Sequence, residues 1–390
     1  PVGTSGDLMK CFKYQDRPGI DKIGGNRPAE RFYKVVSSAA YNWGRQRVMS
    51  ETYGAMGDIS IDTMYRVAME QYTKGVNDLI PHAVWYDDTK VTFKPELSWR
   101  NPKYAAELPR FNKYMSRLNL VLQAPGSHVA DIGVLYPIAT MQAGHYFDGP
   151  LGAYKGGVTI PEADYVDVGE LLITQVGRDF TFVHPEVLDK CCPAGGMMHL
   201  LQQRNWELHK VMIIPGHTTI YWSNLRLIKD FYDRGGKVIA TCTLPDKSAE
   251  FGHDKDVAET VKAMFDPDGK VARNDKGGMA VFLGTPTAES LRQTLDSMQD
   301  VPDVKFEPGK ELRYIHKVCG ERNVYFMANL SDKPVDTFVE LRVEIAPRLW
   351  DPHTGGSADA KYTQEKKGKV VVTKVKVSLP PLKSVFLMQR

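Results

Sequence analysis

The chain has 390 residues, 42% of them hydrophobic and 25% charged, with a net charge of +3. That length can bury cores in two or three domains, and a charge so small, evenly spread except for the lysine-dense KKGKVVVTKVKV near the C-terminus, argues against nucleic acid or an anionic membrane as the main partner. No apolar run is long enough to span a bilayer and no signal peptide is visible, while the five cysteines lack CxxC or Cys/His spacing and read as free, mostly buried thiols.

In chain order, LMKCFKY (8–14) reads as a strand running into the loop QDRPGID. AERFYKVVSSAAYNWG (29–44) has helical spacing and stops at Gly44; strand RVMS (47–50) then delivers Glu51. Ser60 caps a second helix that Gly75 ends, and VNDLIPHAVWY (76–86) is a third strand ending in His82, Trp85 and Tyr86. Three βα units with polar ends fit the last strands of a (β/α)8 barrel, residues 1–123, closed by the helix AELPRFNKYMSRLNLVL.

Residues 124–307 form a doubly wound α/β pattern, with strands ADIGVLYP, FTFVHP, KVMIIPG, KVIATCTLP and MAVFLG and helices YVDVGELLITQVG, SNLRLIKDFYDRGG and DVAETVKAMF between them. This order resembles flavodoxin-like and amidotransferase-like units. The turn after KVMIIPG carries Gly216 and His217 and no nucleophile frame, and no phosphate loop occurs, so the domain reads as noncatalytic. Cys242 reads as core within a buried strand, and vicinal Cys191 and Cys192 as two small loop residues, with a bond between them as the lesser alternative. Residues 308–390 hold only short alternating runs and describe a small β-sandwich; the lysines of KKGKVVVTKVKV read as the wet face of an edge strand.

Carboxylates, aromatics and an imidazole at adjacent strand ends have the composition of a pyranose pocket. Carboxylates bind hydroxyls and do acid/base work, while Tyr and Trp cover the apolar face of the ring. Glu51 is the candidate catalytic residue, and Asp16, Asp21, Tyr53, His82, Trp85 and Tyr86 are candidate substrate ligands. Each has a plainer reading. His82 could be satisfied by backbone at the barrel rim, and Trp85 and Tyr86 could be packing residues.

SSAAYNWGRQRVMSETYGA with KGVNDLIPHA resembles the later part of the catalytic barrel of α-L-rhamnosidases of glycoside hydrolase family 106. The resemblance continues through YVDVGELLITQVGRDFTFVHPEVL, IIPGHTTIYWSNLRLIKDFYDRGGKVIATCTLP and RYIHKVCGERNVYFMANLSD to LWDPHTGG, covering nearly the whole chain in order. It implies hydrolysis of a terminal sugar by two carboxylates, with Glu51 as general base of an inverting reaction, and a periplasmic or extracellular place; free thiols point mildly to a reducing compartment. It implies calcium as a possible cofactor, although no DxDxDG loop is present and the residues themselves require no metal.

An inverting pair needs carboxyl groups roughly 6.5–9.5 Å apart, and the partner acid of an earlier barrel strand is missing from this stretch. The expectation is therefore the C-terminal portion of a longer enzyme, whose partners are carbohydrate and either a second copy or the rest of the barrel. A β-galactosidase-like enzyme and a noncatalytic carbohydrate-binding or structural protein remain as alternatives.

Overall fold

The Asp7 carboxylate accepts a hydrogen bond from the Lys10 amide (3.0 Å) and caps a short helix, Leu8–Phe12, where the sequence predicts a strand. Met9 and Phe12, three apart, are its buried pair, so the apolar spacing is helical after all. The expected loop that follows supplies the first strand instead, Gly19–Lys22. The computed structural model describes residues 6–24, 32–145, 160–307 and 311–389, so residues 29–31 of the expected first barrel helix lie outside the described residues.

Contacts divide the chain into two compact units, where the sequence reading has three consecutive segments. One takes the described residues up to Gln15, Tyr41–Gly44 and Ala130–Pro302; the other takes those of Asp16–Ala40, Arg45–Val129 and Asp303–Arg390. In the second unit, Gly19–Lys22, Met49–Thr52 and Asp78–Pro81 form a parallel three-stranded sheet in sequence order. Ser60 caps helix Ile61–Thr73 through the Thr63 amide (3.1 Å). Ser50 and Thr52 face that helix: their hydroxyls lie 2.9 Å apart, and the Gln71 amide donates to Thr52 (3.0 Å).

The same unit contains an antiparallel sandwich. One sheet runs Val304–Phe306, Val335–Leu341, Val370–Leu379, Tyr362–Lys367; the other runs Ser357–Asp359, Pro347–Trp350, Ser384–Gln389, Arg322–Asn329, Leu312–Cys319, Ser127–His128. Val339, Leu341, Val375, Val377, Tyr325 and Leu387 fill its interior. A second core joins the outer face of the sandwich to the helices behind the parallel sheet: Tyr72, Phe111, Tyr114 and Leu118 pack with Ile315, Phe326 and Phe386. The strand containing KVKV is correctly read in its alternation, with Lys374 exposed and Val375 buried, but it is not an edge, because strands pair on both its sides.

In the first unit the five parallel strands are Ile132–Leu135, Phe180–Val183, Val211–Ile214, Lys237–Thr241 and Met279–Leu283. They lie in the order second, first, third, fourth, fifth, with a short antiparallel strand, Ala272–Arg273, at one edge. This is the doubly wound order whose switch point falls between the first and third strands. Helices Tyr165–Leu171, Trp222–Asp233 and Asp254–Met264 fall where the spacing places them. Helix Ala288–Met298, started by a Thr287/Ser290 capping box, and the meander Cys192–Ala194, Met197–Gln202, Asn205–His209 are additions the pattern did not announce.

All five thiols are free, as expected, but only Cys191 is buried; Cys11 and Cys192 are exposed and Cys242 and Cys319 are half-buried. Cys242 is not inside its strand. It follows Thr241 at a left-handed φ of 58°.

Candidate active site

Asp21, Glu51 and Ile80 share one register across the three parallel strands and therefore one face of the sheet, opposite the face that Ser50 and Thr52 turn to the helix. Glu51 is half-buried and Asp21 exposed. Glu51 lies within its strand, one residue before the end, so its side chain belongs to the sheet face and not to the loop.

The loops at the carboxyl ends of these strands are tied together. The Gly24 amide donates to the Gly54 carbonyl (2.9 Å), and the His82 amide to the Thr52 carbonyl (2.8 Å). Gly54 is squeezed between two neighbours: a Cβ there would sit 3.1 Å from the His82 ring and 3.2 Å from the Ile23 side chain. His82 meets Trp85 edge-on, with ring centroids 5.8 Å apart. His82 Nδ1 and Trp85 Nε1 are both buried, and neither has a hydrogen-bond partner among the described residues. Two unanswered polar atoms beside a carboxylate-bearing strand face are what a hydroxyl-rich ligand would satisfy. Tyr86 is fully exposed on the same loop.

Two of the expected ligands are elsewhere. Strand alternation puts Tyr53 beside Glu51, but Tyr53 takes a left-handed φ of 85° and turns away. Its ring is 0% exposed and lies edge-on to Phe111, and its hydroxyl donates to the Met64 carbonyl (2.8 Å); burial pushes the phenol's pKa well up. A left-handed non-glycine residue costs about 1–3 kcal/mol, which this packing and hydrogen bond offset. Asp16 precedes the first strand, at the opposite end of the sheet from His82, and its exposed carboxylate lies 3.8 Å from Arg45.

Glu96 and Arg100 escaped the sequence reading. Glu96 is only 5% exposed, accepts from Ser98 (2.9 Å) and pairs with Arg100 (3.1 Å). Burial raises its pKa, but the Ser98 and Arg100 bonds outweigh burial and hold the carboxyl below its ordinary value. Arg100 in turn binds the carbonyls of Trp85 and Tyr86 (3.3 Å for the latter), so the pair braces the aromatic loop. The available signal was the Glu-x-Ser-x-Arg spacing in a segment otherwise read as a crossing.

The family model for α-L-rhamnosidases of glycoside hydrolase family 106 matches residues 170–364, half of the chain. The chain belongs to this family. Within it, the family-106 match takes in most of the doubly wound unit and much of the sandwich but not Glu51. The fold is that of a rhamnosidase from Novosphingobium sp. PP1Y, with a TM-score of 0.71 at 20% identity, over 98% of this chain and 35% of that one. It is also similar to a β-galactosidase from Bacillus circulans sp. alkalophilus, with a TM-score of 0.66 at 12% identity, over 98% of this chain and 62% of that one. A curated relative from Formosa agariphila, provisionally named a β-glucuronidase, is 22% identical over 376 residues, 91% of this chain and 27% of its own length. The family-106 chain thus spans only about a quarter to a third of the curated relative and the rhamnosidase it matches. No helix among its described residues is long and apolar enough to cross a membrane.

Proposed function

We propose that this chain is part of a glycoside hydrolase that removes a terminal α-L-rhamnose or a related deoxysugar from a polysaccharide, with Glu51 as the general base of an inverting displacement. The observation that carries the reading is the joint placement of Glu51 and Asp21 on one sheet face, with the unpartnered Nδ1 of His82 and Nε1 of Trp85 on the next loop. In this reading the three strands belong to a (β/α)8 barrel, followed by a flavodoxin-like domain and a β-sandwich.

Glu51 accepts a proton from water as its oxygen attacks the anomeric carbon, and a second carboxyl group protonates the departing oxygen on the other face. Neighbouring strands lie about 4.8 Å apart, closer than the roughly 6.5–9.5 Å of an inverting pair. Asp21 therefore binds sugar hydroxyls, and the acid comes from a strand further round the barrel. His82 and Trp85 bond further hydroxyls, and the exposed Tyr86 ring covers the apolar face of the sugar. Among the described residues no three His, Cys, Asp or Glu side chains gather as ligands for the calcium that the family resemblance implies. No step is routed through it.

The test is Glu51→Gln in the intact enzyme. Turnover of an aryl α-L-rhamnoside is expected to fall about 10³-fold or more, with unchanged circular dichroism. Undiminished turnover removes Glu51 from the reaction. Turnover of an aryl β-galactoside in place of the rhamnoside would favour the galactosidase reading.

A further inference from the structure

The outward face of the four-stranded sheet of the sandwich carries an unusual concentration of charge. By strand alternation this face holds Lys305, Lys367, Lys374 and Lys376 beside Asp336, Glu340 and Glu365. Two of the carboxylates are already used: Glu340 pairs with Lys367 (2.9 Å) and Asp336 with Lys376 (2.7 Å). Lys305 and Lys374 flank Glu340 in the same cross-strand row, and among the described residues neither makes an ion pair.

At the centre of this face stands Phe338, half exposed on an internal strand. The Lys374 and Lys376 ammonium groups lie 5.1 and 4.9 Å from its ring centroid. Lysine stems lie along apolar surface with their heads in water, and here two such heads converge over one half-exposed ring in spite of their like charge.

We propose that this face binds an acidic polysaccharide. The apolar side of a pyranose ring stacks on Phe338, and an anionic substituent, a uronate carboxylate or a sulfate ester, meets Lys374 and Lys305. The choice of a sugar polymer over other anions rests on the aromatic platform and on membership of a glycoside hydrolase family. Binding does not rest on Glu51 acting as a base.

The test is affinity electrophoresis of the chain through gels containing polygalacturonate, chondroitin sulfate or neutral galactomannan, with soluble polyphosphate as a competitor lacking sugar rings. Retardation is expected in an acidic gel and absent in the neutral one; which acidic gel retards the protein tells carboxylate from sulfate. Phe338→Ala and Lys374→Ala should each weaken the interaction about tenfold at unchanged melting temperature, and Glu51→Gln should leave it intact. Absence of retardation, equal retardation in the neutral gel, full competition by polyphosphate, or wild-type behaviour of Phe338→Ala would each overturn the proposal.

Discussion

The two parallel sheets end differently. At the switch point of the doubly wound sheet, where this fold ordinarily receives ligands, the chain answers its own polar groups. Asp164 Oδ1 accepts from the Gly216 amide (2.7 Å) and the Thr241 hydroxyl (2.9 Å), and Thr140 accepts from the Thr218 and Thr219 amides (3.1 Å each). A side chain at position 216 would strike the Glu162 carbonyl, and His217 is buried against the Pro215 carbonyl. Among the buried side-chain atoms described at this end, Asp164 Oδ2 lacks a partner, and burial raises that carboxyl's pKa. The three-stranded sheet ends instead with the His82 Nδ1 and Trp85 Nε1 atoms unanswered among the described residues and two carboxylates on an adjoining face. Similar βα patterning thus produces a closed end and an open one, and the proposed chemistry lies at the open one.

That contrast can be broken most sharply at the open end. Beyond the loss expected for Glu51→Gln, His82→Ala should lower kcat/KM of the intact enzyme about 10–100-fold with little change in urea stability. A kcat/KM within twofold of wild type would return His82 to a packing role.

Acid should affect both units. Burial pushes His217 and His353 down to about 4, the latter helped by Lys383, and His353 accepts from the Ser384 amide (3.2 Å) as a neutral ring. The folded state binds fewer protons than the unfolded one, whose histidines titrate near 6.5. Stability from these rings is therefore full above pH 6.5 and is lost as pH falls towards 4, by at most about 3 kcal/mol each. Urea midpoints at pH 7 and 4.5 measure this, and His353→Gln should flatten the dependence; an unchanged slope would show that the ring is not buried neutral.

Asp164→Ala should cost about 1–3 kcal/mol of stability without altering kcat. A large activity loss from this folded variant would mean that the closed end takes part in function. The smallest effect is expected for Tyr53→Phe, about 1 kcal/mol from the hydrogen bond to Met64, with KM unchanged. A raised KM would place Tyr53 back at the substrate.

Much of this was readable from local pattern. Apolar runs at Ile132–Leu135, Val211–Ile214 and Lys237–Thr241 read as candidate strands and are buried ones, and the alternation of Val370–Leu379 predicts its dry and wet faces. The Ser60 cap and the strand that carries Glu51 were equally legible. Where the sequence misled, a single local feature decided the outcome. Asp7 capped LMKCF into a helix, and the left-handed turn at Tyr53 moved that ring from the candidate site to the core.

By itself, then, the sequence determined the order of βα units, the antiparallel C-terminal strands, and Glu51 as the carboxylate to watch, because hydrophobic periodicity and capping act over a few residues. Tertiary structure decided that Asp21 stands beside Glu51 while Asp16 and Tyr53 do not, and that Arg100 braces the Trp85–Tyr86 loop. It also decided that one doubly wound sheet closes its own switch point. Register between strands and the answering of buried polar groups join residues that are distant in the chain, so no local pattern can announce them.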